Sequence, residues 1–63
     1  MKRSALVRHL REHGCEFARE GRRHEVWQNP VTGESDAVPR HQEIGNIIAK
    51  AICKRLGVPP PRG

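Results

Sequence analysis

The 63-residue sequence predicts an α+β domain in the order helix, strand, strand, strand, helix, with a three-stranded antiparallel sheet and both helices on one face. Three observations carry this. Ile44, Ile47, Ile48, Ala51, Ile52 and Leu56 recur at i, i+3, i+4, i+7, i+8 and i+12, which is a wide apolar stripe on a helix. Leu6 and Leu10 stand one turn apart before Gly14, marking a second helix with its stop. Between them lie short runs rich in strand formers, separated by turn residues at Glu20-Gly21-Arg22 and at Asn29 to Glu34.

Taken in order, residues Ser4 to His13 read as the first helix, with Ser4 in the N-cap position. Cys15 to Arg19 alternate, Cys15 and Phe17 pointing one way and Glu16 and Ala18 the other. His24 to Gln28 form the second strand, and "NPVTGE" (Asn29 to Glu34) closes a hairpin onto Ser35 to Val38. Pro39 cannot donate to a ladder and stops that strand. The last helix opens at Gln42 or Glu43 and closes at Gly57, with Lys50, Lys54 and Arg55 in its later turns, where cations favour the helix dipole. Neither helix can bury its apolar side alone, so the expected core sets Ile44, Ile48 and Ile52 opposite Leu6, Leu10 and Phe17. The domain is expected to span residues 1–58, followed by a flexible Pro-rich tail at 59–63.

A chain this short buries only about 60% of the surface its unfolded form exposes, so its core is small and a partner adds to its stability. No apolar run is long enough to span a bilayer, and Arg8 and His9 interrupt the apolar residues that a secretory signal would need. The expected location is cytoplasmic. Twelve Lys and Arg against seven Asp and Glu give a formal charge of +5, which points to a polyanion or to an acidic protein covering the same face. Nine of the twelve cations are arginine, the better bidentate phosphate ligand, although a GC-rich genome produces the same bias. Cys15 and Cys53 lack CxxC spacing and are expected to be buried free thiols, with a disulfide between them as the alternative.

His24 is the sharpest candidate for chemistry. It stands at the mouth of a strand, directly after Arg22 and Arg23. A histidine exchanges a proton near neutral pH, and flanking arginines draw a phosphate close. That combination suits cleavage of a phosphodiester by its own 2′-hydroxyl, with the arginines offsetting charge in the transition state. The alternative is an exposed strand histidine with no role. Arg40 and His41 sit at the junction of the third strand and the last helix, and His41 is open to three roles: phosphate contact, helix cap, or none. His9 and His13 have helical metal-ligand spacing but no third ligand. The carboxylates are scattered, no phosphate-cradling glycine loop or nucleophile elbow is present, and a metal-dependent nuclease is disfavoured. Strand alternation puts Val26 on the face of His24, and Trp27 with Glu25 on the other. Both Val26 and Trp27 are apolar, so the pattern leaves open which face meets the helices.

"HEVWQNP" (His24 to Pro30), "VPRHQEI" (Val38 to Ile44) and "CKRLGV" (Cys53 to Val58), with the strand order and the Gly14 stop, resemble the HicA family of mRNA interferase toxins over roughly Ser4 to Val58. The resemblance implies a fold like the double-stranded-RNA-binding domain and a toxin of a type II toxin–antitoxin system. It also implies metal-independent mRNA cleavage by a single histidine, without a cofactor, and neutralisation by a HicB-like antitoxin. The family's histidine ends a Gly-Ser-His motif; here it aligns with His24, and Arg22 and Arg23 replace Gly and Ser. His24 is thereby the expected catalytic residue, and Arg22, Arg23, Arg40 and His41 are the expected RNA-binding residues. The alternative is an RNA-binding module, or an antitoxin-binding subunit, that no longer cleaves.

Overall fold

The computed structural model describes residues 1–61, so Arg62 and Gly63, the end of the expected tail, lie outside the described residues. The elements are α1 (Arg3–Glu12), β1 (Glu16–Glu20), β2 (His24–Gln28), β3 (Ser35–Pro39) and α2 (Asn46–Arg55). The three strands form one sheet in the order β1-β2-β3, antiparallel throughout. This is the helix, strand, strand, strand, helix architecture expected from the sequence. Among the described residues, no helix is long and apolar enough to cross a membrane.

Both helices end in the same way. The amide of Cys15 donates to the carbonyl of Leu10 at 2.9 Å and that of Gly14 to Arg11 at 3.1 Å, with Gly14 at φ 88°. In α2 the amide of Val58 donates to Cys53 at 2.9 Å and that of Gly57 to Lys54 at 3.2 Å, with Gly57 at φ 72°. These are Schellman caps, and each needs a left-handed residue that glycine supplies without steric cost. Each also buries an apolar pair across the cap, Leu10 with Cys15 and Cys53 with Val58.

The helix starts differ from the expectation. Ser4 lies inside α1 rather than at its N-cap; Lys2 occupies that position and no side chain caps the helix. The reason is tertiary. The Arg3 amide donates to the Gln42 carbonyl at 2.8 Å, and the Ile44 amide to Met1 at 2.8 Å. Lys2 and Glu43 thus form an isolated antiparallel bridge. This bridge keeps Gln42, Glu43 and Ile44 extended, so α2 begins only after Gly45, later than Gln42 or Glu43. β3 also runs one residue further than expected, to Pro39, which pairs with His24 as the last residue of the ladder.

Sheet register settles the face of Trp27. Phe17, Trp27 and Asp36 stand opposite one another, as do Glu25 and Val38. Trp27 and Val38 are fully buried in one cluster with Leu6, Leu10, Ile44, Ala49, Ile52, Cys53 and Leu56, so both helices cover this face. The Arg11 guanidinium lies 5.2 Å from the Trp27 ring centroid, which places α1 over β2. His24, Val26 and Gln28 point to the opposite face, which has no helix.

Two expected core residues are not buried. Ile48 is 52% exposed, because the side of α2 that meets the sheet carries Ala49, Ile52 and Cys53 instead. Phe17 is 45% exposed, because β1 is an edge strand with a bulge between Phe17 and Arg19. Phe17 keeps an edge-on contact with Trp27 at 6.1 Å between ring centroids. Asn29 is a buried polar residue beside this core. Its side-chain amide donates to the Leu56 carbonyl at 2.7 Å and its oxygen accepts from the Val31 amide at 3.0 Å, tying the hairpin turn to the end of α2.

Candidate functional site

The expected site residues meet at one end of the sheet. His24 opens β2 and is exposed on the helix-free face. It pairs across the ladder with Pro39, so the chain leaving β3 carries Arg40 past the β1–β2 turn. In that turn the Gly21 amide donates to the His24 carbonyl at 2.8 Å. The Arg40 guanidinium donates to the Gly21 carbonyl at 3.1 Å and lies 3.5 Å from the Glu20 carboxylate. Arg40 therefore fastens the turn that precedes His24 to the strand that flanks it.

Arg22 and Arg23 form the tip of the same turn and are exposed. Among the described residues, no ion pair joins either of them to a carboxylate. Glu20, the carboxylate of this turn, is engaged by Arg40, which leaves Arg22 and Arg23 as open cations beside His24. His41 is exposed one residue beyond Arg40, and no hydrogen bond links it to His24 among the described residues.

Behind the site, on the helix side, lies an ion pair that the sequence reading missed. Arg3 of α1 pairs with Glu25 of β2, and its Nε donates to the Pro39 carbonyl at 3.0 Å. The same Glu25 oxygen accepts from Trp27 Nε1 at 3.3 Å. Arg3 thus ties α1 to the residues on either side of His24, one in sequence and one across the ladder. A signal was present: Glu25 shares a strand face with Trp27, and a carboxylate on a buried face needs a partner. An open cleft of about 480 Å³ lies beside this pair, lined by Lys2, Arg3, Ser4, Arg40, Gln42 and Glu43. Arg40 borders both the cleft and the His24 turn.

The remaining candidates lie elsewhere. The rings of His9 in α1 and His13 at its C-cap lie 4.5 Å apart between centroids, tilted by 53°, and His9 Nε2 lies 2.8 Å from the Pro59 carbonyl. Among the described residues, no group of three or more His, Cys, Asp or Glu is placed to hold a metal ion. Cys15 and Cys53 are free and buried, as expected. Burial pushes both thiols up from their ordinary range, and at Cys53 the neighbouring Cys15 adds to the effect. Both stay protonated near neutral pH, which removes them as nucleophiles.

An α-β-β-β-α fold with a solvent-facing histidine set among arginines at one sheet end defines a small, basic α+β domain. A family model described as the HicA toxin of bacterial toxin–antitoxin matches residues 3–58, and the chain belongs to that family. It is a toxin of a bacterial toxin–antitoxin system, and such a toxin has an antitoxin as its partner. Comparison with curated proteins and comparison with solved structures return no match.

Proposed function

We propose that this toxin is an endoribonuclease that cleaves mRNA in the cytoplasm, with His24 as its proton-transfer residue. The observation that carries the reading is the convergence of exposed His24, Arg22 and Arg23 without an ion-pair partner among the described residues, and Arg40 at one end of the helix-free sheet face. Arg22 and Arg23 bind the RNA phosphates beside the scissile bond, and Arg40 and His41 extend the same track toward the cleft. The attacking group is the 2′-hydroxyl of the substrate. Its oxygen bonds to phosphorus while the bond from phosphorus to the 5′-oxygen breaks. The proton leaves the 2′-oxygen and one is gained by the departing 5′-oxygen, and His24 serves one of these transfers. The arginines offset the charge that develops on the phosphoryl oxygens. The products are a 2′,3′-cyclic phosphate and a 5′-hydroxyl, with no metal or other cofactor in the step. The α-β-β-β-α order, which the family resemblance links to the double-stranded-RNA-binding domain, is compatible with an RNA substrate, and a HicB-like protein is the fitting antitoxin.

The test places wild type, His24→Ala and His41→Ala on one RNA, with and without EDTA. His24→Ala should retain folding and RNA affinity and lose about 10²–10⁴-fold in cleavage, the usual worth of a positioned proton-transfer group. DNA should be left intact and EDTA should have no effect. Equal cleavage by wild type and His24→Ala removes His24 from the mechanism, and His41 is then the next residue to test. A second reading has its own support. Arg22 and Arg23 stand where the family motif has Gly and Ser, and none of the side-chain hydrogen bonds among the described residues involves the His24 ring. Binding without cleavage by wild type would identify a module that holds RNA or antitoxin only.

A further inference from the structure

α2 carries a second apolar surface that the core does not use. Ile47 is 85% exposed and Ile48 52%. Ala51 lies one turn after Ile47 and is exposed as well. At 3.6 residues per turn these three adjoin on the solvent side, while Ala49, Ile52 and Cys53 face the sheet. Lys50 and Lys54 run along one flank of the strip, both exposed, and no ion pair joins either to a carboxylate among the described residues. Arg55 closes its C-terminal end, 3.6 Å from Asp36. None of these residues belongs to the His24 cluster.

An isolated exposed isoleucine needs no explanation, but two in succession with an adjoining alanine and a lysine border form a patterned surface. Isoleucine at solvent-facing helix positions does nothing for the free helix, since its propensity is below that of alanine, lysine or glutamate. We propose that this strip is a docking surface for the antitoxin. An acidic antitoxin segment would cover Ile47, Ile48 and Ala51 with apolar side chains and set carboxylates against Lys50 and Lys54. The inference rests on membership of the toxin family, which implies an antitoxin partner. Charge selects the occupant. A second copy of this +5 chain would bring Lys50 and Lys54 against like charges, whereas an acidic segment complements them. A nucleic acid would use the lysines and leave the isoleucines uncovered.

The experiment titrates the full chain with the purified protein encoded by the reading frame next to the toxin gene, at low and high salt. Wild type should bind. Ile47→Glu and the double variant Lys50→Glu/Lys54→Glu should each weaken binding at least ~10-fold, the range of a central interface residue. Ile47→Ala, which keeps the helix, should weaken it in the same direction. Thermal unfolding and RNA cleavage of Ile47→Glu should match wild type, because the side chain is 85% exposed and lies outside the His24 cluster. Equal binding by wild type and both charged variants would overturn the docking surface and leave the nuclease reading untouched. Absence of binding by wild type would overturn it too, and the cleavage assay on the same sample then decides the nuclease reading separately. Sedimentation that finds a wild-type dimer, abolished by Ile47→Glu, with antitoxin binding unchanged, would assign the strip to a second copy and overturn the proposal.

Discussion

The Gly21 amide donates to the His24 carbonyl at 2.8 Å, and a Cβ on Gly21 would stand 2.7 Å from that same oxygen. The glycine that this site requires lies in the turn itself, three residues before the histidine, and the constraint is a close backbone approach. The atom in the way is backbone, so no side-chain rotation relieves it. Gly21→Ala should open the turn and displace both His24 and the Gly21 carbonyl that Arg40 holds. The expected cost is about 1–3 kcal/mol in denaturant unfolding, typical of forced overpacking. Cleavage should fall more than stability does. A variant with wild-type stability and activity would show that the turn does not position His24.

Arg22 and Arg23 should act on RNA affinity through charge alone. Each is exposed and unpaired among the described residues, so removing either should leave unfolding unchanged. Each lost phosphate contact should reduce the slope of log affinity against log salt by about 0.7 on single-stranded RNA. Arg40→Ala should differ by also lowering stability, since it frees the Gly21 carbonyl and Glu20. Fluorescence anisotropy at several salt concentrations checks this, and a slope unaffected in all three variants would take the arginines out of the RNA interface.

The core makes a sharp contrast between neighbouring isoleucines. Ile52 is 3% exposed and Ile48 52%. Ile52→Ala should cost about 2–5 kcal/mol, enough to unfold much of so small a domain. Ile48→Ala should cost about 1 kcal/mol or less, nearer a surface substitution. Urea unfolding of the two variants side by side tests the orientation of α2. A reversed order would mean that α2 turns its other side to the sheet.

The buried thiols predict a loss of stability at alkaline pH. Both Cys15 and Cys53 have pKa values raised above their ordinary 9.0, first by burial. The folded chain therefore holds these protons where the unfolded chain releases them. Their contribution is fully present below the unfolded value of 9.0 and is lost as pH rises through the raised folded values. The unfolding midpoint should begin to drop as pH passes the unfolded value of 9.0 and go on dropping through the raised folded values, and the drop should shrink in Cys15→Ala and Cys53→Ala. An identical alkaline slope in wild type and variants would remove the thiols as its source.

Much of this protein is legible along the chain, because its signals are local. Gly14 and Gly57 end the helices where left-handed backbone is needed, and Asn29 to Glu34 turn the hairpin. The strand His24–Gln28 has the bounds its alternation predicts. His24, Arg22 and Arg23 are neighbours in sequence, so their cluster is visible before any folding, and Arg40 joins them because an antiparallel ladder brings Pro39 opposite His24.

What tertiary structure alone decides concerns choices between equivalent faces. Val26 and Trp27 are both apolar, and only the packing of Leu6, Leu10 and Val38 puts Trp27 inside and leaves His24 on the open face. α2 is apolar around most of its circumference, so periodicity admits more than one buried side. The short bridge between Lys2 and Glu43 fixes Ile44 before the helix starts, and the helix then turns Ala49, Ile52 and Cys53 inward and Ile47 and Ile48 outward. The bridge joins residues about forty positions apart, and no local pattern encodes a pairing at that separation.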